Sequence, residues 1–109
     1  MVREADIQDF VNRVVEEFAP QLVILFGSYA CGSATSASDV DLLVVMPTKK
    51  RTVQQALEIR QRIACPFALD LLVRTPHDVH ERLALGDCFL TTVINEGRML
   101  YESHRRRMD

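Results

Sequence analysis

Apolar residues recur along this chain in two rhythms. Ile7, Phe10, Val11, Val14, Val15 and Phe18 fall at helical spacing. The stripe predicts an amphipathic helix over 7–18, with Asp6 placed as N-cap and Pro20 just past its end. The rhythm then changes to a continuous run, Leu22-Val23-Ile24-Leu25-Phe26. A short, partly β-branched run predicts a strand over 21–26 covered on both faces, stopping at Gly27-Ser28. A small, polar stretch from Tyr29 to Ser38 leads to a second apolar strand, Val40 to Met46, which Pro47 ends.

Thr48-Lys49-Lys50-Arg51 reads as a charged loop. Thr52 is then placed to cap a helix whose Val53, Ala56, Leu57, Ile63 and Ala64 turn inward, leaving Arg60, Gln61 and Arg62 in water. Pro66 marks its end. Phe67 to Val73 predicts a third buried strand interrupted by Asp70, and Thr75-Pro76 opens a short helix that closes near Gly86. A further helix runs from about Asp87 to Glu96, with Gly97 as a left-handed C-cap before a brief strand, Met99-Leu100-Tyr101. The Phe and Leu positions of the helices are assigned to the core. The order α, β, β, α, β, α, α, β predicts an α/β fold, a small mixed sheet packed with helices.

Length and charge narrow what such a fold can do. With 109 residues, 48% hydrophobic, the chain is expected to form one domain over 1–109. A net charge of −2 supplies no broad attraction to nucleic acid or to an anionic membrane. Direct nucleic-acid binding is therefore not expected, and any phosphate site must be local. Cys31, Cys65 and Cys88 are an odd number without CxxC spacing, which points to neither a disulfide framework nor a zinc site. A reduced, cytoplasmic protein is the natural expectation, and no stretch is long and apolar enough to span a bilayer.

Candidate chemistry lies where the strands stop being apolar. Asp39 and Asp41 are two apart at the start of a strand, so both side chains project from one face with Cα atoms about 6.5 Å apart. Asp70 sits between Phe67-Ala68-Leu69 and Leu71-Leu72-Val73, a setting in which charges are rare unless paired. Alone, Asp39 reads better as a turn or strand-start residue after Ser38. If the second and third strands are neighbours, all three carboxylates converge. Each like-charge pair at 4 Å then repels by about 4 kcal/mol at an effective dielectric near 20. A hard cation such as magnesium, which prefers oxygen ligands, relieves that repulsion. Gly27 and Ser28 end the first strand, where exposed N–H groups and a hydroxyl suit phosphate oxygens; the plainer reading is a strand-ending turn.

Together, Gly27-Ser28, ten intervening residues and Asp39-Val40-Asp41 resemble the GS-x10-DxD motif of the DNA polymerase beta nucleotidyltransferase superfamily. The fuller string from Gly27 to Gly32, Ser38 to Val44 and the ending Asn95-Glu96-Gly97-Arg98-Met99-Leu100-Tyr101-Glu102 is similar to the MNT-type minimal nucleotidyltransferases. The resemblance spans nearly the whole chain and implies a polymerase-beta-like fold. It implies that Gly27 and Ser28 hold the triphosphate of ATP and that Asp39 and Asp41 bind two Mg2+ ions. By the same resemblance, Asp70 would complete the triad and help activate the acceptor hydroxyl.

Many MNT proteins are antitoxins paired with an HEPN-type RNase toxin, and some transfer AMP to a tyrosine of that toxin. The expectation is therefore a protein adenylyltransferase in a hetero-oligomer. One departure bears on it: Cys31 stands where these proteins commonly carry an arginine near the triphosphate. Its loss weakens phosphate binding unless Lys49, Lys50 or Arg51 reaches in, although that triplet also reads as a solvated loop. Two alternatives follow: an antitoxin that masks its partner without chemistry, and an oligomer that modifies a small molecule. His77 and His80 read as exposed helical residues, and His104-Arg105-Arg106-Arg107 as a basic tail.

Overall fold

The computed structural model describes residues 1–103. Its elements in chain order are α1 (Glu4–Phe18), β1 (Leu22–Phe26), α2 (Ser28–Cys31), β2 (Val40–Val45), α3 (Thr52–Arg62), β3 (Leu69–Arg74), α4 (Pro76–Ala84), α5 (Cys88–Glu96) and β4 (Arg98–Glu102). The expected order of long elements is present, with the single-turn helix α2 added after Gly27. The strands form one mixed sheet in the order β3-β2-β1-β4, in which β2 pairs parallel with β3 and β1 pairs antiparallel with both β2 and β4. The basic run at 104–107 lies outside the described residues.

Alternation along each strand sends side chains to two opposite layers. Val23, Leu25, Val40, Leu42, Val44, Leu71 and Val73 meet Ile7, Phe10, Val11 and Val14 of α1 and Ile59 of α3. Leu22, Ile24, Leu43 and Val45 meet Val79 of α4 and Leu90 and Val93 of α5. Leu42 and Leu43, adjacent in β2, are each fully buried on opposite sides. Each contributes roughly 2–3 kcal/mol by removal of apolar surface from water. The doubly covered sheet is why β1, and β2 apart from Asp41, read as continuous apolar runs.

Several local expectations are corrected. α1 begins at Glu4, not after Asp6: Arg3 holds the cap position without a side-chain bond, and Glu4 and Asp6 lie in the first turn. There the carboxylates favour the positive end of the helix dipole. Thr52 is already helical, with Arg51 at the cap. α3 turns Gln55 and Ile59 inward, leaving Val53 71% and Leu57 52% exposed. Gln55 keeps its buried polar end satisfied, accepting from the Thr48 hydroxyl at 2.8 Å and donating to Glu58 at 3.1 Å. Leu85, at the end of α4, is 80% exposed.

β3 starts at Leu69 and is an edge strand, not a fully buried one. Two of its carbonyls are capped by guanidinium groups: Arg60 donates to the Leu69 carbonyl and Arg74 to that of Val73, each at 2.8 Å. Capping of this kind discourages pairing with a foreign strand. Thr75 does cap α4, accepting from the Asp78 N–H at 3.1 Å. Asp87 does the same for α5 through Leu90 at 2.9 Å. Gly97 is extended, at φ −77° and ψ 169°, and not left-handed. Its requirement is space: a Cβ would sit 2.4 Å from the Val93 carbonyl oxygen and 2.7 Å from Ile24 Cγ2.

Candidate active site

Strand register decides which polar side chains meet. Phe26 of β1 is the partner of Asp41 in β2, and Asp41 is the partner of Asp70 in β3. These three residues form one row across the sheet. Asp41 shares its parity with Leu43 and Val45, and Asp70 shares its with Leu72. The row therefore lies on the sheet face covered by α4 and α5. It occupies the sheet end where β1 finishes and β2 and β3 begin, beyond the cover of the hydrophobic layer.

Asp41 is half-buried, whereas Asp39 and Asp70 are exposed. Burial pushes the Asp41 carboxyl above its ordinary range, reinforced by the charges of Asp70 and Asp39. No ion pair among the described residues involves any of the three aspartates. The structure brings Asp41 and Asp70 together. Asp39, just ahead of β2, acts on Asp41 through its charge, and the three do not close into one compact ligand group among the described residues. Three uncompensated like charges favour such a spread.

Gly27 closes the other side of Asp41. It has φ +74° and ψ −154°, a positive-φ region that glycine alone enters at little cost, and a Cβ there would lie 2.2 Å from the Asp41 Oδ2. The bare backbone thus lets the β1–α2 turn approach the carboxylate. Ala30 and Cys31 donate their N–H groups back to the Gly27 carbonyl at 3.1 and 3.3 Å. The N–H groups of Ser28 and Tyr29, first in the turn, have no intrahelical partner to reach. Tyr29 anchors the turn from its far side by accepting from the Val2 N–H at 3.1 Å. A donor set of carboxylate oxygens, backed by a glycine that leaves room, fits a hard divalent ion and its phosphate ligand.

Cys31 is exposed beside this turn, with its thiol 3.1 Å from the Ser33 hydroxyl, a hydrogen bond that lowers its pKa. The basic triplet offers it no substitute. Lys49, Lys50 and Arg51 follow the far end of β2, and six strand residues separate that end from the start by roughly 20 Å. Lys50 is engaged there with Glu58 at 2.5 Å. His77 is exposed and pairs with Glu81 at 3.3 Å; His80 is exposed too.

A groove adjoining Gly27 is missed by assigning helical phenylalanines to the core. Phe89 is 46% exposed and packs edge-to-face on Phe26, with ring centres 5.6 Å apart. With Gly27, Cys31, Thr92, Val93, Glu96 and Gly97 it lines a cavity of about 210 Å³. The spacing 89, 92, 93, 96 marks one helical face, a signal present in the sequence.

Comparison with known proteins adds to the geometry. Residues 7–101 match the family described as a nucleotidyltransferase domain. A candidate protein adenylyltransferase of Methanocaldococcus jannaschii is 26% identical over 103 residues, covering 93% of this chain and 100% of that protein. A crystal structure of a candidate nucleotidyltransferase from Sulfolobus solfataricus superposes with a TM-score of 0.65 at 19% identity, covering 93% of this chain and 81% of the other. A toxin–antitoxin structure with AMP-PNP gives 0.57 at 19% identity, covering 93% and 77%. A substituted form of the toxin–antitoxin MntA-HpeT gives 0.57 at 22%, covering 99% and 79%. At these identities the structural likenesses establish the fold.

Proposed function

The chain belongs to the nucleotidyltransferase domain family, and from that premise we propose that it transfers AMP from ATP to a tyrosine hydroxyl of a partner HEPN-type RNase toxin, acting as its antitoxin. The observation that carries the reading is the in-register pair Asp41 and Asp70, with the Gly27 backbone against Asp41. Kinship with a candidate protein adenylyltransferase and fold likeness to toxin–antitoxin structures support the choice of a protein acceptor.

Asp39, Asp41 and Asp70 would hold two magnesium ions. Magnesium, when bound, supplies positive charge that orients the triphosphate and stabilises departing pyrophosphate. Gly27 leaves space for a phosphate to approach, and the turn's N–H groups and the Ser28 hydroxyl donate to its oxygens. Asp70, at the β3 end of the row, takes the proton of the attacking hydroxyl. An oxygen–phosphorus bond forms at the α-phosphate as the bond to the β-phosphate bridge breaks. The proton resides on Asp70, and pyrophosphate leaves.

The test is incubation with α-labelled ATP, magnesium and the co-purified partner. Label is expected on the partner, and Asp41→Asn should remove it. Exposure of Cys31, at the position where the MNT-type resemblance implies an arginine, favours one second reading, masking by binding alone. Neutralisation that survives Asp41→Asn, with no label from either protein, would select it.

A further inference from the structure

The groove between α5 and the β1–α2 turn contacts the phosphate cradle at Gly27 without including any of the three aspartates. Its lining rules out several occupants. Glu96 brings a negative charge, and no lysine or arginine lines it, so a phosphate is disfavoured there. Its volume of about 210 Å³ is below the roughly 300–1,000 Å³ of sites that enclose whole drug-sized ligands. One flat ring system fits; a complete nucleotide does not. The acceptor side chain is assigned to Asp70, two strands away from β1 in the sheet order.

The remaining surface has a definite chemistry. Phe26 and Phe89 offer aromatic carbon for a planar ring. Thr92 and Glu96, one helical turn apart on the same face of α5, offer a hydroxyl and a carboxylate acceptor. We propose that this groove is the nucleobase subsite, with Phe89 as the packing surface and Glu96 as the acceptor for an exocyclic amino group. The site then favours bases that carry an exocyclic amino group, adenine among them, over uracil. The inference rests on the nucleotidyl-transfer reading and adds to it the base preference and the residues that set it.

The experiment measures equilibrium binding of ATP, CTP, UTP and inorganic tripolyphosphate, each with magnesium, to the full chain. The wild type should bind ATP more tightly than UTP. Phe89→Ala should weaken ATP about tenfold, as expected for loss of one base–aromatic contact, while leaving tripolyphosphate affinity unchanged. Glu96→Ala should erase most of the ATP-over-UTP preference and leave tripolyphosphate unchanged or slightly tightened. Thermal melts of both variants without ligand report whether each remains folded. Phe89→Leu, which keeps apolar bulk without the ring, provides a second variant and should still weaken ATP. Unchanged ATP affinity in folded Phe89→Leu, or preference for ATP retained in Glu96→Ala, overturns the subsite while leaving nucleotidyl transfer intact. Failure of the wild type to bind any nucleotide or tripolyphosphate overturns both.

Discussion

Replacing Asp41 by asparagine should make the protein more stable once divalent ions are removed, although it removes a group assigned to the chemistry. Asp41 and Asp70 are direct partners on adjacent strands, which lie about 5 Å apart. Two unit charges at that separation repel by roughly 1 kcal/mol in water and about 3 kcal/mol at an effective dielectric near 20. Asp70 is exposed and Asp41 half-buried, so solvent screening places the effect near the lower figure. A gain of about 1 kcal/mol corresponds to a rise in Tm of roughly 4–8 °C in a domain of this size. The sign follows from linkage. Burial and the charges of Asp70 and Asp39 raise the Asp41 pKa in the folded protein, so the native state binds its proton more tightly than the unfolded chain. Its contribution favours folding below the unfolded pKa and is lost as pH rises through the raised native value. At neutral pH the charged pair is therefore a net cost, which the substitution removes. The assay is thermal melting in EDTA at low and high salt for Asp41→Asn, Asp70→Asn and the double variant. The double variant should gain little over either single one, because the shared repulsion is removed once. High salt should shrink the gain. An unchanged or lowered Tm for Asp41→Asn in EDTA would refute the reasoning.

Other substitutions test separate parts of the structure. Magnesium with ATP should raise the wild-type Tm, and Asp41→Asn should abolish that rise, so the two proteins exchange order of stability between EDTA and ligand. Gly27→Ala places a side chain at a positive-φ backbone that only glycine enters readily and forces a collision with the Asp41 carboxylate. It should cost about 1–3 kcal/mol in denaturant titration and reduce ATP affinity. Gly97→Ala meets backbone oxygens of Val93 and Leu25 and the Ile24 side chain, and should cost about 1–3 kcal/mol by overpacking. Cys31→Arg places a guanidinium beside the turn and should tighten ATP binding about tenfold in the same binding assay.

The fold was legible where burial is unambiguous. Leu22–Phe26 and, apart from Asp41, Val40–Val45 are covered on both sides, so their apolar runs announce them. Thr75-Pro76 and Asp87 carry capping chemistry that works locally and needs no tertiary context. The pattern misled where apolar residues are not core. Val53 and Leu57 share helical spacing with buried positions, yet sheet geometry turns Gln55 and Ile59 inward. Gly97 is required for space between α5 and β1, a fact invisible to any rule about helix ends. Pairing of Asp41 with Asp70 depended on β2 and β3 being neighbours in parallel register, which alternation within one strand does not specify. Phe89 looked like core because sequence records a ring, not the groove it faces.

The position of the carboxylates follows from the same strands that stabilise the molecule. β2 is central in the sheet and buried from Val40 onward except at Asp41. Moving the carboxylate two residues along, to position 43, would bring it beneath α5 and Leu90, where an unpaired charge costs far more than at the rim. Moving it two residues earlier, to 39, leaves it exposed and weakly held. Position 41 is the point at which the backbone is fixed on both sides by β1 and β3 while the side chain still reaches solvent. The hydrophobic layers thus hold Asp41 and Asp70 side by side against their repulsion. That arrangement leaves a concentration of negative charge that protonation of Asp41 or a bound cation would relieve, beside a turn whose glycine leaves room at Asp41.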